Sequence, residues 1–326
     1  MKAAQINKYG HFDVIEIVDI EKPKAGKGQV LIKNFASCIN PVDSKIMQGY
    51  MAKMMPIQFP FTLGSDIAGV VTEIGEEVTG FNVGNKVYGQ AIVLSGATGA
   101  FAEFVATPAS NMAKMPKNLD FNQSAAVVLA GVSALQALLE HFNLQPNQKI
   151  LIHGGAGGIG TFAIQIAKSI GAYVATTATA DGIEYVKRLG ADQVIDYKSQ
   201  DFEYILSSYD AVFDTVGGET YSKSFKVLKR GRVARAPHEV GAPDLGIIVS
   251  MLEQDKENLS EKYGVTAISQ FTKVNTEHLN MLTKFIENGD VKIYIDKVFT
   301  LEKIREAFEE KEKGDVKGKI VIEINK

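Results

Sequence analysis

Gly155, Gly157 and Gly160 stand at G-x-G-x-x-G spacing inside Lys149–Gly171. Those residue types at that spacing suit one task, the holding of a pyrophosphate. Lys149-Ile-Leu-Ile-His153 reads as a strand before the loop, and Thr161–Ile170, apolar at helical spacing, reads as a helix after it. The strand–loop–helix setting is what separates this motif from a chance run of glycines. One glycine serves the tight turn, one the close approach of backbone to the anion, and one the packing of helix on strand. The helix then turns its free N–H groups and positive dipole end towards the phosphates. Gly155, Ala156, Gly157, Gly158, Ile159 and Gly160 are therefore the cofactor-binding candidates of a dinucleotide site.

Further candidates follow from where strands end. An NAD site usually carries Asp or Glu at the end of the second strand, about twenty residues past the glycine loop. Here that place reads Ala175-Thr-Thr-Ala-Thr-Ala180, and Asp181 reads as the N-cap of the next helix. A missing carboxylate removes repulsion against a 2′-phosphate, and Thr177 and Thr179 are candidate donors to it. NADPH (NADP+) is expected over NADH, with Arg188, Lys198 or another strand supplying positive charge. Asp214, Thr215, Val216 and Gly217 end the fourth strand, where backbone contacts to the nicotinamide half are expected. Lys45 is either an ammonium offered to a developing oxyanion or a solvated surface lysine. Tyr50 and Tyr88 are phenol donors or packing residues. His153 reads as a loop anchor, and His238 follows a strand candidate.

These residues need elements to hold them. Residues 1 to about 115 read as β-rich, with strand candidates Val14–Val18, Gln29–Phe35, Ile67–Ile74, Lys86–Tyr88 and Phe101–Ala106 between turn residues. Ser124–Phe142 reads as a helix. Strand candidates Ile150–His153, Tyr173–Thr177, Gln193–Tyr197, Ala211–Thr215, Arg232–Ala236 and Val265–Gln270 then alternate with helical stretches. That alternation predicts an α/β unit with a doubly wound parallel sheet. The tail predicts helices at Glu277–Glu287 and Leu301–Lys311 and strands near Lys292–Phe299 and Lys319–Ile324. The last strand is assigned to the first domain, giving boundaries of 1–120, 121–270 and 271–326.

Composition narrows the class. The chain has 326 residues, 45% of them hydrophobic and 22% charged, with a formal charge of −3. No basic block marks a nucleic-acid partner. No apolar run reaches the length of a membrane span, and the N-terminus lacks a signal-peptide layout, so a cytoplasmic protein is expected. Its single cysteine, Cys38, excludes an internal disulfide and reads as an inert buried thiol.

Several segments together resemble one family. They are Asn40-Pro-Val-Asp43, Leu63-Gly-Ser-Asp-Ile-Ala-Gly69, Gly99-Ala-Phe-Ala-Glu-Phe104, Ala130-Gly-Val-Ser-Ala134 and Leu189-Gly-Ala-Asp-Gln-Val-Ile-Asp-Tyr197, with the loop Gly154-Gly-Ala-Gly-Gly-Ile-Gly160 and the closing Gly318-Lys-Ile-Val-Ile-Glu-Ile324. The chain resembles the medium-chain dehydrogenase/reductase superfamily, in its zinc-independent quinone oxidoreductase and NADPH-dependent enone reductase branch. The resemblance implies a discontinuous GroES-like β-barrel catalytic domain and a Rossmann domain. It places Asn40 beside the nicotinamide and ribose, Asp43 as an orienting group, Ser133 at the cofactor, Tyr197 near the adenosine and Phe271 by the nicotinamide amide. Zinc-dependent relatives carry cysteine where this chain has Asn40 and histidine where it has Ser65, and neither residue suits zinc. Cys38 lies two positions earlier and reads as pointing to the other face of its strand, so no metal is expected. Hydride transfer without a metal suits a small apolar enone or quinone, whose conjugation spreads the incoming charge onto an oxygen. The edge position expected for Val265–Gln270, with the resemblance, points to a homodimer. A non-catalytic dinucleotide-binding protein and an alcohol dehydrogenase are the alternative readings.

Overall fold

A computed structural model of the chain describes residues 1–54, 56–230 and 245–325. The chain divides into two compact units. The first comprises Met1–Val132, Val274–Gly289 and Ile293–Lys326; the second comprises Ser133–Lys273 and Asp290–Lys292.

The first unit opens with strands β1 (Lys2–Ile6), β2 (Glu16–Asp19) and β3 (Gln29–Cys38), followed by helix α1 (Pro41–Met47). Strands β4 (Phe61–Thr62), β5 (Asp66–Ile74), β6 (Lys86–Gln90), β7 (Phe104–Pro108) and β8 (Met112–Lys114) come next, and then helix α2 (Phe121–Leu135). Helix α1 escapes strand-period reading, yet its start signal is present in Asn40-Pro41. Helix α2 starts three residues before the expected Ser124 and passes into a π-helical turn at Gln136–His141. By length and composition Phe121–His141 matches a membrane span, against expectation, but 78% of its apolar window is buried inside the protein.

In the second unit β9 (Lys149–Ile152), α3 (Gly158–Ile170), β10 (Tyr173–Ala178), α4 (Asp181–Arg188) and β11 (Gln193–Asp196) alternate. Helix α5 (Phe202–Ile205), β12 (Ala211–Asp214), α6 (Glu219–Ser224), β13 (Ile247–Ser250), α7 (Leu259–Tyr263) and β14 (Thr266–Ser269) follow. The six strands form one sheet in the order β11-β10-β9-β12-β13-β14, all neighbours parallel. Strand β13 was not anticipated, because three apolar residues without alternation look the same in a strand and in a buried helix. The strand candidate Arg232–Ala236 and His238 lie outside the described residues. Leu151, Val212, Phe225 and Ile248 form part of this unit's core.

The chain then returns to the first unit through α8 (Thr276–Glu287), β15 (Ile295–Thr300), α9 (Ile304–Glu312) and β16 (Lys319–Glu323). Strand β16 pairs parallel with β15 and antiparallel with β3. Strand β3 also pairs with β5 and β7, so it is the spine of this sheet. Ile6, Phe61, Leu301, Ile304, Phe308 and Ile320 share one core cluster, in which both ends of the sequence take part. Each such buried side chain contributes about 1.5–3 kcal/mol.

Candidate functional site

In the second unit, the loop after β9 sits where the strand order reverses, with β10 on one side and β12 on the other. That switch point is where open parallel sheets hold ligands. Helix α3 begins with Gly157 as N-cap and no side chain capping its amides, so its first N–H groups lack protein acceptors within the helix. A Cβ at Gly155 would strike Thr176 Oγ1, and one at Gly160 would strike the Gly154 carbonyl. These two glycines are fixed by packing. A Cβ at Gly157 would meet only the Gly154 carbonyl oxygen, at 3.3 Å, a contact that a small shift relieves. Packing therefore does not account for a glycine there, whereas a phosphate resting on the backbone does. The loop fits a dinucleotide.

Behind the loop, a buried hydrogen-bond chain fixes its pose. Thr177 Oγ1 accepts from Gly154 N at 3.1 Å and lies 3.3 Å from His153 Nδ1. His153 Nε2 lies 3.0 Å from Ser224 Oγ, which donates to Thr220 O. With the Ser224 proton committed, Nε2 carries the imidazole proton and Nδ1 accepts from Thr177. Burial holds His153 neutral, its pKa pushed down to about 3. His153 is an anchor, as the sequence predicts. Thr177, however, spends its one hydroxyl proton here. Thr179 Oγ1 bonds the Asp196 carboxylate instead. Neither threonine is left as a donor to a 2′-phosphate. Ala180, not Asp181, is the N-cap of α4, and Asp181 lies in its first turn. Tyr197 is exposed, with the Lys198 ammonium 5.5 Å from its ring centre.

At the ends of β12 and β13, fully buried Asp214 organises two loops. Its Oδ1 accepts from the amides of Val216 and Gly217, and its Oδ2 accepts from Ser250 Oγ. Ser250 Oγ in turn accepts from the amides of Leu252 and Glu253. Thr215 Oγ1 donates to His153 O at 2.7 Å, which leaves the half-exposed Val216 outermost on its loop. Ser133 is buried with its hydroxyl 2.6 Å from that of Thr272, while Phe271 is 72% exposed. The pinning of loops by Asp214 escaped the sequence, where the residue reads only as a strand end.

The first unit holds a separate polar cluster, built where β3, β5, β16 and the start of α1 converge. Asn40 is buried, and its Nδ2 donates to Asp66 Oδ2 at 2.7 Å and to Ser65 Oγ at 3.1 Å. Its Oδ1 accepts from Lys319 Nζ at 2.5 Å, and its backbone N–H donates to Asp43 Oδ2 at 2.7 Å. Asn40 thus gives both amide protons to the protein. Burial raises Asp43 to about 7 against the opposing pull of the Asn40 N–H, Lys319 and Lys311, with Asp66 adding to the rise. Burial also raises Asp66, opposed by Lys319 and Asn40. Cys38 Sγ donates to Ile320 O at 3.2 Å, and burial pushes its thiol up to about 12. Its nearness to Lys319 puts it beside Asn40 rather than on an opposite face, because residues two apart in a strand share a side.

Helix α1 therefore brings Asn40 and Asp43 together and leaves Lys45 and Tyr50 outside. Lys45 is exposed and Tyr50 is 77% exposed. Tyr88 is fully buried, with its hydroxyl donating to Leu279 O at 2.6 Å, a packing role. Lys319 and Ser65 were missed as working residues. A signal existed for Lys319: it precedes three fully apolar residues of a strand, where a lysine is out of place. Among the described residues no group of three or more His, Cys, Asp or Glu is placed to hold a metal ion.

Comparison with known proteins adds to this geometry. The family model described as "Alcohol dehydrogenase GroES-like domain" matches residues 26–117, and that described as "Zinc-binding dehydrogenase" matches 189–322. A 2-methylene-furan-3-one reductase of Solanum lycopersicum is 35% identical over 99% of this chain and 79% of its own length. A chloroplastic NADPH-dependent alkenal/one oxidoreductase of Arabidopsis thaliana is 33% identical, with the same coverages of 99% and 79%. The solved quinone oxidoreductase of Coxiella burnetii is 33% identical, covers 100% of this chain and 99% of its own, and superposes with a TM-score of 0.88.

Proposed function

Because the chain belongs to the medium-chain dehydrogenase/reductase superfamily, in its quinone oxidoreductase branch, and is thus an oxidoreductase, we propose that it uses NADPH to reduce a small apolar enone or quinone without zinc. The observation that carries this reading is the loop at Gly157, where uncapped helix amides meet an open backbone surface. The relatives' names support the substrate class, since an alkenal or enone and a quinone share a conjugated carbonyl.

When bound, NADPH supplies the hydride. The protein's own groups do the rest. The amides of Gly158, Ile159 and Gly160 hold the pyrophosphate. The loops pinned by Asp214 give the nicotinamide half a rigid bed of backbone groups, with Val216 and Phe271 as its apolar neighbours. Lys45 and Tyr50 are the proposed donors to the substrate oxygen, because their polar ends are free of the buried cluster. Charge that develops on that oxygen is stabilised by a fixed donor. Thr177 and Thr179 are engaged elsewhere, so NADPH preference rests on the missing acid at the end of β10, on Lys198 and on the NADPH-dependent relative. The case against zinc is chemical: Asn40 and Ser65 face each other and Asp66 in a closed hydrogen-bonded set. Strand β14 ends the sheet with no outer neighbour among the described strands, and we propose that a second copy of the chain pairs there.

The test is anaerobic oxidation of NADPH and NADH against a short enone, a bulky enone, a quinone and an alcohol assayed oxidatively. Faster turnover with NADPH and a saturated ketone product is the expected result. Tight NADPH binding with no turnover would favour a non-catalytic dinucleotide-binding protein. Turnover of the alcohol alone would make it an alcohol dehydrogenase.

A further inference from the structure

Lys319 is 4% exposed at the head of β16, next to Ile320, Val321 and Ile322. An ammonium taken out of water costs several kcal/mol unless other groups replace the water. Here the replacements are oxygens, Asn40 Oδ1 at 2.5 Å and Ile39 O at 3.3 Å. The opposite end of the Asn40 amide faces the Asp66 carboxylate at 2.7 Å. The amide dipole thus lies between a cation at its oxygen and an anion at its nitrogen. Flipped by 180°, it would set NH2 against ammonium and C=O against carboxylate, so one orientation is strongly selected. Asn40 is also the residue before α1, tied to that helix through its own N–H and Asp43. Helix α1 carries Lys45, whose carbonyl accepts from the Tyr50 amide at 3.0 Å.

We infer that Lys319 is a positioning residue for the reduction: its buried ammonium locks the Asn40 amide, and Asn40 in turn fixes the start of the helix that carries Lys45, to whose carbonyl the Tyr50 amide is bound. The inference rests on the reductase reading above for the reaction it serves. Lys319 touches neither substrate nor cofactor in this role. It supplies a hydrogen-bond donor from within the chain, at a point where the Asn40 amide oxygen and the Ile39 carbonyl are buried.

Three variants and two independent readouts test it. In protein labelled with 15N-asparagine, the Asn40 side-chain NH2 should exchange slowly with solvent. In Lys319→Met, which keeps length and loses charge, that exchange should speed up by about tenfold or more. The same variant should lose kcat by about tenfold to a hundredfold, the scale of a displaced catalytic group, with KM for NADPH within about twofold. In Lys319→Ala, added ethylammonium should restore kcat, and ethanol at the same concentration should not. A folded Lys319→Met with unchanged Asn40 exchange and unchanged kcat would overturn the inference, as would equal rescue by ethanol. Should Lys319→Met fail to fold, the Asp66→Asn/Lys319→Met double variant removes both charges. If it folds and stays slow, the inference stands; if it also fails to fold, Lys319 serves folding alone and the inference is wrong. A wild type that turns over nothing in the substrate panel sinks the reductase reading, and the Asn40 exchange still decides the Lys319 clamp.

Discussion

Two buried ionisable residues tilt the two units in opposite directions with pH. Asp43 moves from 3.8 to about 7, chiefly through burial. The fold therefore favours its protonated form, and the stability it contributes is present below the ordinary carboxylate range and lost as pH rises through about 7. His153 moves from 6.5 to about 3, also through burial. Its contribution is present above the ordinary histidine value and lost as pH falls towards 3. Hydrogen exchange, corrected for its intrinsic pH dependence, should show β3 losing protection between about pH 4 and 7 on the way up. Strand β9 should lose protection between about pH 6.5 and 3 on the way down. Asp43→Asn should flatten the first trend and leave the second. The reverse pattern would mean that the Coulomb attraction of Lys319 and Lys311, rather than burial, governs Asp43. At this scale the sequence was informative about types and blind to partners. Asn40 and Asp43 were legible as working residues from their motif. Their partners Asp66 and Lys319 lie 26 and 279 positions away from Asn40, and spacing reveals nothing at that range. Thr177 and Thr179 misled for the same reason: a free hydroxyl and a committed one have identical sequences.

The glycine loop separates packing from ligand binding within one element. Gly160→Ala places a methyl against the Gly154 backbone, and overpacking of this kind costs about 1–3 kcal/mol. Its melting temperature should fall visibly in a thermal melt. Gly157→Ala should melt close to wild type and yet bind NADPH about tenfold more weakly, a loss of about 1.4 kcal/mol, by titration of cofactor fluorescence. Equal effects of both variants on stability would remove the argument that Gly157 is kept for a ligand. This loop was the most legible element in the chain, because strand, turn and helix each left a local signature in adjacent residues. The strands Lys2–Ile6, Phe61–Thr62, Met112–Lys114 and Ile247–Ser250 left none strong enough. They are short, and their partners, not their own period, make them strands.

Across the whole molecule, the doubly wound sheet of the second unit was readable from alternation alone. The assignment of the last strand to the first unit was readable too, from its lack of a partner in the second, but its partner was not, because β16 pairs with β3 some 280 residues earlier. Deleting residues from Lys319 onward should therefore leave the first unit open to limited proteolysis while the second unit still binds NADPH. Retention of a protease-resistant first unit would show that β3 needs only β5 and β7. Light scattering tests the proposed pairing through β14: twice the chain mass is expected, and a single chain mass at micromolar concentration would count against it.

The late position of Lys319 has a consequence for how the protein comes into being. Domains tend to fold as they leave the ribosome, N-terminal parts first. Asn40, Asp43 and Asp66 are made before the second unit, but Lys319, which donates to Asn40 Oδ1, is made after it. While the second unit is made and can fold, the newborn chain carries a cluster of acceptors without its cation. Helix α1 gains its fixed setting only once β16 has been made, so the order of synthesis places the ordering of this cluster after the making of the second unit.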